Sequence, residues 1–362
     1  MITLVAILKR LTYTLLLFIT LAFLQKNEPV RLRYVYPGRT WTYLKKPTEA
    51  GWDISKLNSL QTFIADSCNT SGMMVIHRGK VVFEYGDSKE LSYIASCRKS
   101  VLSMLYGPFV ENGKINLNAT VGDLGLDDVG GLLPIEKRAT IKDLLTARSG
   151  VYHLASNPGD ATSLAPARGT VTPGTCWLYN NWDFNIAGHI LEQETKRSVY
   201  ELVDSILARP LQMEDWNLNA QKKSGDTNRS KYLAYHMWFS TEDMARIGYL
   251  MLREGKWRDK QLIPAQWIRT ITSTVTTYEE ALANKTNYLY FGYGYMWWRW
   301  ESPYNSGPYA GWYTAIGAYG QYITVFPALD LVVAHKNKSM EFETSLELYL
   351  KLLDKIISAR QT

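Results

Sequence analysis

Strand-patterned segments lie at both ends of this 362-residue chain and helix-patterned segments lie between them. No other feature limits the fold as much. Met73–Tyr85 consists of two β-rich runs around Arg78-Gly79-Lys80, a hairpin signal. Strand character returns in Tyr288–Trp298, Gly320–Phe326 and Leu329–His335, while residues 94 to about 262 read as mainly helical. A chain divided in this way completes one sheet from its two ends and inserts a helical lobe, which leaves a cleft where the lobes meet.

Local signals mark the helices. Gly51-Trp-Asp-Ile-Ser-Lys-Leu57 reads as a helix start capped by Asp53 or Ser55. Val101-Leu102, Leu105 and Val110 share an apolar face, and Asn112-Gly113 ends that helix. Ile141–Gly150 predicts a short helix with a glycine stop. Ser240-Thr-Glu-Asp243 has the shape of a capping box ahead of Met244–Leu252, and Phe342–Ile357 closes the chain as a helix.

Residues 1–33 are expected to be a signal peptide or membrane anchor, with the folded domain at 34–362. Lys9-Arg10 precede the mostly apolar run Leu11–Leu24, which has the length of a signal-peptide core and falls short of a ~20-residue membrane span. Export to the periplasm or the extracellular space follows, and an uncleaved Met1–Leu24 would tether the protein to a membrane. The first 33 residues carry five basic side chains against Glu28, so most of the formal charge of +6 lies there. The nearly neutral remainder argues against nucleic acid as a partner.

Cys68, Cys97 and Cys176 make no disulfide framework, whether as one bridge with a spare or as three buried thiols. With no CxxC or HExxH and the five histidines far apart in sequence, no metal or other cofactor is expected.

The stretch Tyr93-Ile-Ala-Ser-Cys-Arg-Lys-Ser100 places three potential nucleophiles beside a lysine. On a helix only residues three or four apart face each other, which pairs Ser96 with Lys99 and leaves Cys97 and Ser100 without a base. A serine hydroxyl attacks only once a base takes its proton. At a helix N-terminus, backbone N–H groups also point at a developing oxyanion. By itself the pattern more often describes a capped helix with an exposed lysine. Further on, Tyr179-Asn180-Asn181 precedes an apolar helix. A tyrosine near a lysine could pass a proton to a leaving group, and an asparagine could bind a substrate carbonyl. Taken alone, Tyr179 is more often a packed aromatic.

Together these segments resemble the serine β-lactamase and penicillin-binding-protein superfamily on its class C side, a group that includes esterases and 6-aminohexanoate-dimer hydrolases. The matching features are Ser96-Cys-Arg-Lys99, Thr140-Ile-Lys-Asp-Leu-Leu-Thr-Ala-Arg-Ser-Gly150, Pro173-Gly174 leading to Tyr179-Asn-Asn181, and Gly317-Ala-Tyr-Gly-Gln321 before a strand ending in Pro327. They run in family order over roughly residues 50–360. The resemblance implies an α/β (α+β) fold of β-lactamase type, with an antiparallel sheet from the terminal segments, flanking helices and an inserted helical lobe at about 94–262. It also implies an acyl-enzyme route. Ser96 is then the nucleophile, Lys99 its base, Tyr179 the proton shuttle and Asn181 a substrate ligand, with the backbone N–H of Ser96 and of Gly317 or Ala318 as oxyanion hole. Gln321 and Trp182 are expected to line the substrate pocket, Cys97 to be a packing residue, and Arg98 to point away from Ser96.

One departure shapes the substrate expectation. The family's K-[ST]-G or H-x-G element should fall near Trp312-Tyr-Thr-Ala-Ile-Gly317, which has no cation, and Lys336 lies too far along the chain to replace it. That cation contributes a charge-assisted contact to a substrate carboxylate. Its loss favours a small ester or amide without that carboxylate over β-lactam or peptidoglycan substrates. A catalytically silent ligand-binding domain is the rival outside enzymology, and intact Ser96, Lys99 and Tyr179 speak against it.

Overall fold

The computed structural model describes residues 34–159, 161–283, 291–301, 304–337 and 343–360, apart from the side chain of Thr162. The leader expected at 1–33, Tyr288–Tyr290 of the aromatic strand run and Phe342 of the closing helix lie outside them. Residues from Val35 onward form one compact unit. Among the described residues no helix is long and apolar enough to cross a membrane.

The two chain ends do build one sheet. Strands β1 (Thr70–His77), β2 (Lys80–Gly86), β3 (Phe291–Tyr293), β4 (Trp298–Trp300), β5 (Tyr313–Gly317), β6 (Gln321–Phe326) and β7 (Leu331–Asn337) lie in the order β2-β1-β7-β6-β5-β4-β3. Every pairing is antiparallel. The hairpin turn falls at Arg78-Gly79, where Gly79 has φ +83° and a Cβ would lie 1.8 Å from Val35 O, so only glycine fits.

Both faces of β1 are covered, which explains its unbroken apolar run. Met73 and Val75 face a core with Trp52, Leu57, Tyr349 and Leu352, contributed by helices α1 (Ile54–Ser67) and α6 (Leu346–Ser358) and the turn before α1. Met74 and Ile76 face the larger core on the other side. Asp53 caps α1, accepting from Ser55 N at 2.8 Å and Lys56 N at 3.2 Å.

The middle of the chain is less helical than its pattern implies. Its main helices are α2 (Cys97–Glu111), α3 (Ile141–Leu145), α4 (Asn181–Thr195) and α5 (Thr241–Leu252), and long irregular segments cross between them. Glycines at positive φ (Gly113, Gly125, Gly130, Gly131) break the pattern after α2. The capping box at Thr140/Asp143 starts α3, but that helix ends at Leu145, before the expected glycine stop. Ala147 turns the chain at φ +56° and Gly150 serves a later turn. At α5 only half of the expected capping box exists. Ser240 accepts from Asp243 N, while both Asp243 carboxylate oxygens are buried without a partner among the described residues. Helix α5 lies so close to the sheet that a Cβ on Gly248 would meet Val332 Cγ1 at 2.5 Å.

Three of these elements converge on one point. The N-terminus of α2 follows a short ribbon in which Ser92-Tyr93 pairs with Trp238-Phe239, and Ile94 N donates to Met237 O. The N-terminus of α4 and the end of β5 reach the same place.

Candidate active site

Ser96 stands at the N-cap of α2, yet its hydroxyl makes no capping bond. It accepts instead from Lys99 Nζ at 3.0 Å, one helical turn on. A capped helix with a solvent-facing lysine would show the opposite, a capping hydroxyl and an exposed amine. Here Lys99 is 1% exposed and Ser96 is only half-buried.

The chain enters Ser96 through a left-handed residue. Ala95 has φ +47°, which costs a non-glycine residue about 1–2 kcal/mol. The turn is held by Cys97 N to Ile94 O at 3.2 Å and by Arg98 Nη1 to Ala95 O at 3.2 Å. Strain kept at such a position is frequent at functional sites.

Lys99 Nζ also donates to Tyr179 OH at 2.7 Å and to Asn181 Oδ1 at 2.7 Å. Helix α4 sets these two residues. Asn180 caps it by accepting from Trp182 N at 3.0 Å and ties the preceding segment down by donating to Val151 O at 2.6 Å. Tyr179 is thereby held in the approach and Asn181 becomes the first helical residue. The Tyr179 ring stacks on Trp298 of β4 at 5.7 Å and 26°, and lies 4.9 Å from Phe184. The Lys99 amine sits 4.2 Å from the Tyr179 ring centre and 4.5 Å from that of Phe184, so aromatic faces as well as hydrogen bonds orient it.

The same partners suit either charge state of Lys99. An ammonium can donate to all three oxygens. A neutral amine donates to Tyr179 and Asn181 and presents its lone pair to the Ser96 hydroxyl.

The other two potential nucleophiles are occupied. Cys97 is fully buried with Sγ directed to Gln321 O at 3.3 Å, and burial raises its thiol pKa far above the ordinary value. Ser100 is buried and donates to Met296 O at 2.5 Å. All three cysteines are free.

At the end of β5, a Cβ on Gly317 would lie 2.6 Å from Ile94 O and 3.2 Å from Ser96 N. Strand end and helix start therefore share a space that only glycine leaves open. Ala318 follows as an exposed turn residue. Gln321 flanks Gly317, buried, with Nε2 donating to Tyr319 O at 3.2 Å and Oε1 without a partner among the described residues.

One sequence assignment needs correction. Trp182 does not line a pocket: it is fully buried and its indole donates to Asp128 Oδ2 at 2.7 Å, because residue N2 of α4 faces the core. Asn181 is 2% exposed with its amide engaged at both ends, by Lys99 at Oδ1 and by Pro158 O, 2.9 Å from Nδ2. That arrangement orients the lysine. Sequence reasoning missed Pro158, Phe184 and Trp298. Only the aromatic density of residues 288–300 hinted at Trp298, and that density also described an ordinary strand.

The stretch Trp312–Gly317, where the family's cation is expected, has no Lys, Arg or His. Ala315 is fully buried in β5. Lys336 lies two strands away on β7, 1% exposed, with Nζ donating to Glu90 O at 2.8 Å and Phe239 O at 2.5 Å. Burial lowers its pKa to about 8. Among the described residues no group of three or more His, Cys, Asp or Glu is placed to hold a metal.

A family model described as Beta-lactamase matches residues 61–342. An uncharacterised protein of Alkalihalophilus pseudofirmus is 25% identical over 258 residues, 64% of this chain and 72% of its own length. Three solved structures share the fold. A Bacillus anthracis protein provisionally assigned as a 6-aminohexanoate-dimer hydrolase superposes with a TM-score of 0.59 at 20% identity, covering 82% of this chain and 80% of its own. EstCE1, a hydrolase with promiscuous acyltransferase activity, gives 0.61 at 15% identity over 84% and 98%. A penicillin-binding-protein homologue from Caulobacter crescentus gives 0.63 at 12% identity over 88% and 99%. With most of the chain matched by that model and the same fold recovered, the chain belongs to the beta-lactamase family.

Proposed function

We propose that this protein is a serine hydrolase that cleaves an ester or amide through an acyl-Ser96 intermediate. The observation that carries the reading is the contact of one buried amine, Lys99 Nζ, with Ser96 Oγ, Tyr179 OH and Asn181 Oδ1. In the first step neutral Lys99 takes the Ser96 proton while Oγ attacks the substrate carbonyl. The oxyanion forms against the Ser96 N–H, and the backbone at Gly317–Ala318 supplies the second donor. Tyr179, bonded to the same amine, relays the proton to the leaving alcohol or amine, and the acyl group remains on Ser96. The reverse relay activates water for deacylation, which regenerates the serine. Asn181 acts as a positioning residue that holds the lysine.

The substrate is a neutral ester or amide rather than a β-lactam or a peptide with a C-terminal carboxylate, since Trp312–Gly317 carries no cation to bind one. The N-terminal segment marks the enzyme for export, with membrane association if it is retained.

Incubation with a fluorophosphonate probe and mass mapping of the adduct tests the proposal. The expected result is a single label on Ser96, with hydrolysis of p-nitrophenyl esters exceeding that of nitrocefin. Absence of label, or full hydrolysis by a Ser96→Ala variant, overturns it.

A further inference from the structure

The turn between β5 and β6 follows the strand end that faces Ser96 N, and its backbone is held in an unfavourable shape. Tyr319 and Gly320 are left-handed in succession, at φ +65° and +82°, although Tyr319 carries a Cβ. Three consecutive carbonyls, from Tyr319 to Gln321, each accept from a side chain. Gln321 Nε2 donates to Tyr319 O at 3.2 Å, His335 Nδ1 lies 2.8 Å from Gly320 O, and Cys97 Sγ lies 3.3 Å from Gln321 O. Gly317 pairs with Gln321 across the hairpin, and a Cβ on Gly317 would lie 3.0 Å from Gln321 Cβ and 3.2 Å from Ser96 N.

Of the three donors, Gln321 belongs to the hairpin itself and Cys97 to the helix of the nucleophile. His335 alone is anchored elsewhere, on β7 inside the sheet, fully buried beside the rings of Tyr322 at 5.9 Å and Tyr349 at 5.5 Å. Its partners fix its tautomer. Gly320 O can only accept, so Nδ1 carries the proton. Thr70 Oγ1 of β1 lies 2.8 Å from Nε2, and a neutral ring accepts the hydroxyl proton there. Burial lowers the ring's pKa to about 4, in keeping with that neutral form. A hydroxyl of β1, an imidazole of β7 and a carbonyl of the turn thus form one chain with every donor and acceptor role assigned.

We propose that His335 is a positioning residue for hydrolysis at Ser96: its Nδ1–H fixes the Gly320 carbonyl, and thereby the turn that aims the Gly317–Ala318 backbone donor at the developing oxyanion. The inference rests on the acyl-Ser96 reading above. His335 acts through the backbone and touches no reacting atom. An oxyanion donor works only when held at hydrogen-bonding distance from where charge develops, so a turn free to rock loses rate rather than substrate affinity.

Glutamine and asparagine at this position separate the two ring nitrogens. Asparagine Nδ2 takes the place of Nδ1 and keeps a donor for Gly320 O, whereas glutamine Nε2 takes the place of the other nitrogen and withdraws that donor. Both remove the ring from Tyr322 and Tyr349, so the damage to packing is shared. Pre-steady-state hydrolysis of a p-nitrophenyl ester separates substrate binding from acylation. His335→Gln should slow acylation about tenfold or more at an unchanged substrate dissociation constant, and His335→Asn should recover to within about threefold of wild type. Equal acylation rates in the two variants overturn the inference and leave the wild-type mechanism standing. A wild-type protein that forms no acyl-Ser96 overturns that mechanism and this inference with it. If neither variant folds, NMR of histidine-labelled wild type decides. A hydrogen-bonded Nδ1–H at His335 is expected, and an Nε2–H tautomer overturns the inference.

Discussion

Replacing Lys99 with methionine separates a catalytic lysine from a structural one. Methionine fills a similar volume and keeps the contacts with Tyr179 and Phe184, but it removes the amine from Ser96, Tyr179 and Asn181. General-base catalysis contributes about 10²–10⁴-fold, so acylation should slow by that factor, equivalent to roughly 2.7–5.5 kcal/mol of barrier. Stability should respond much less. Losing the hydrogen bond to Asn181 Oδ1 costs about 1–3 kcal/mol, and removing an amine that is 1% exposed offsets much of that cost. The net midpoint shift is therefore a few degrees in either direction. The assay is the second-order rate of fluorophosphonate labelling at Ser96, read by intact mass and peptide mapping, alongside differential scanning calorimetry. A labelling rate within threefold of wild type refutes the reasoning. So does a rate loss matched by a collapse of the midpoint, since Lys99 would then be holding the fold rather than the proton.

Two further outcomes follow from the geometry. Gly317→Val places a side chain 3.2 Å from Ser96 N and 2.6 Å from Ile94 O; overpacking of this kind costs about 1–3 kcal/mol, and Ser96 labelling should fall at least tenfold, so an unchanged rate would detach β5 from the oxyanion hole. Burial and the Asp215 charge raise the pKa of Asp243 to about 8 from an ordinary 3.8. The folded state therefore keeps a proton that the unfolded chain releases, and this residue's contribution to stability is lost as pH rises from about 4 to about 8, by at most about 1.4 kcal/mol per pH unit. Denaturant titrations of wild type and Asp243→Asn between pH 4 and 8 should diverge in that sense, the histidines cancelling in the difference; parallel curves would contradict it.

Much of this was legible in the chain because it rests on local physics. The pairing of Ser96 with Lys99 follows from helical pitch, and the hairpin at Gly79 from the need for positive φ. The cap at Asp53 and the capping box at Thr140 follow from orphan N–H groups. Where the reading went astray, local pattern met tertiary context. The helical run from 94 to 262 carried apolar spacing that the fold spends on irregular crossings between helices. Trp182 sat near the motif in sequence, yet helix α4 turns it inward to Asp128, and nothing in its neighbours announces which face α4 buries.

The sequence by itself determined which serine has a lysine within reach, that the two ends of the chain share a sheet, and that Trp312–Gly317 carries no cation. Only the tertiary structure decided that the lysine's other partners come from 80 and 82 residues away, that Trp298 supports Tyr179, and that Arg98 is buried. Contacts within one or two turns are dictated by backbone geometry, which any stretch of sequence carries. Contacts between distant segments, and the burial that gives a charge its energetic weight, arise only when the whole core packs.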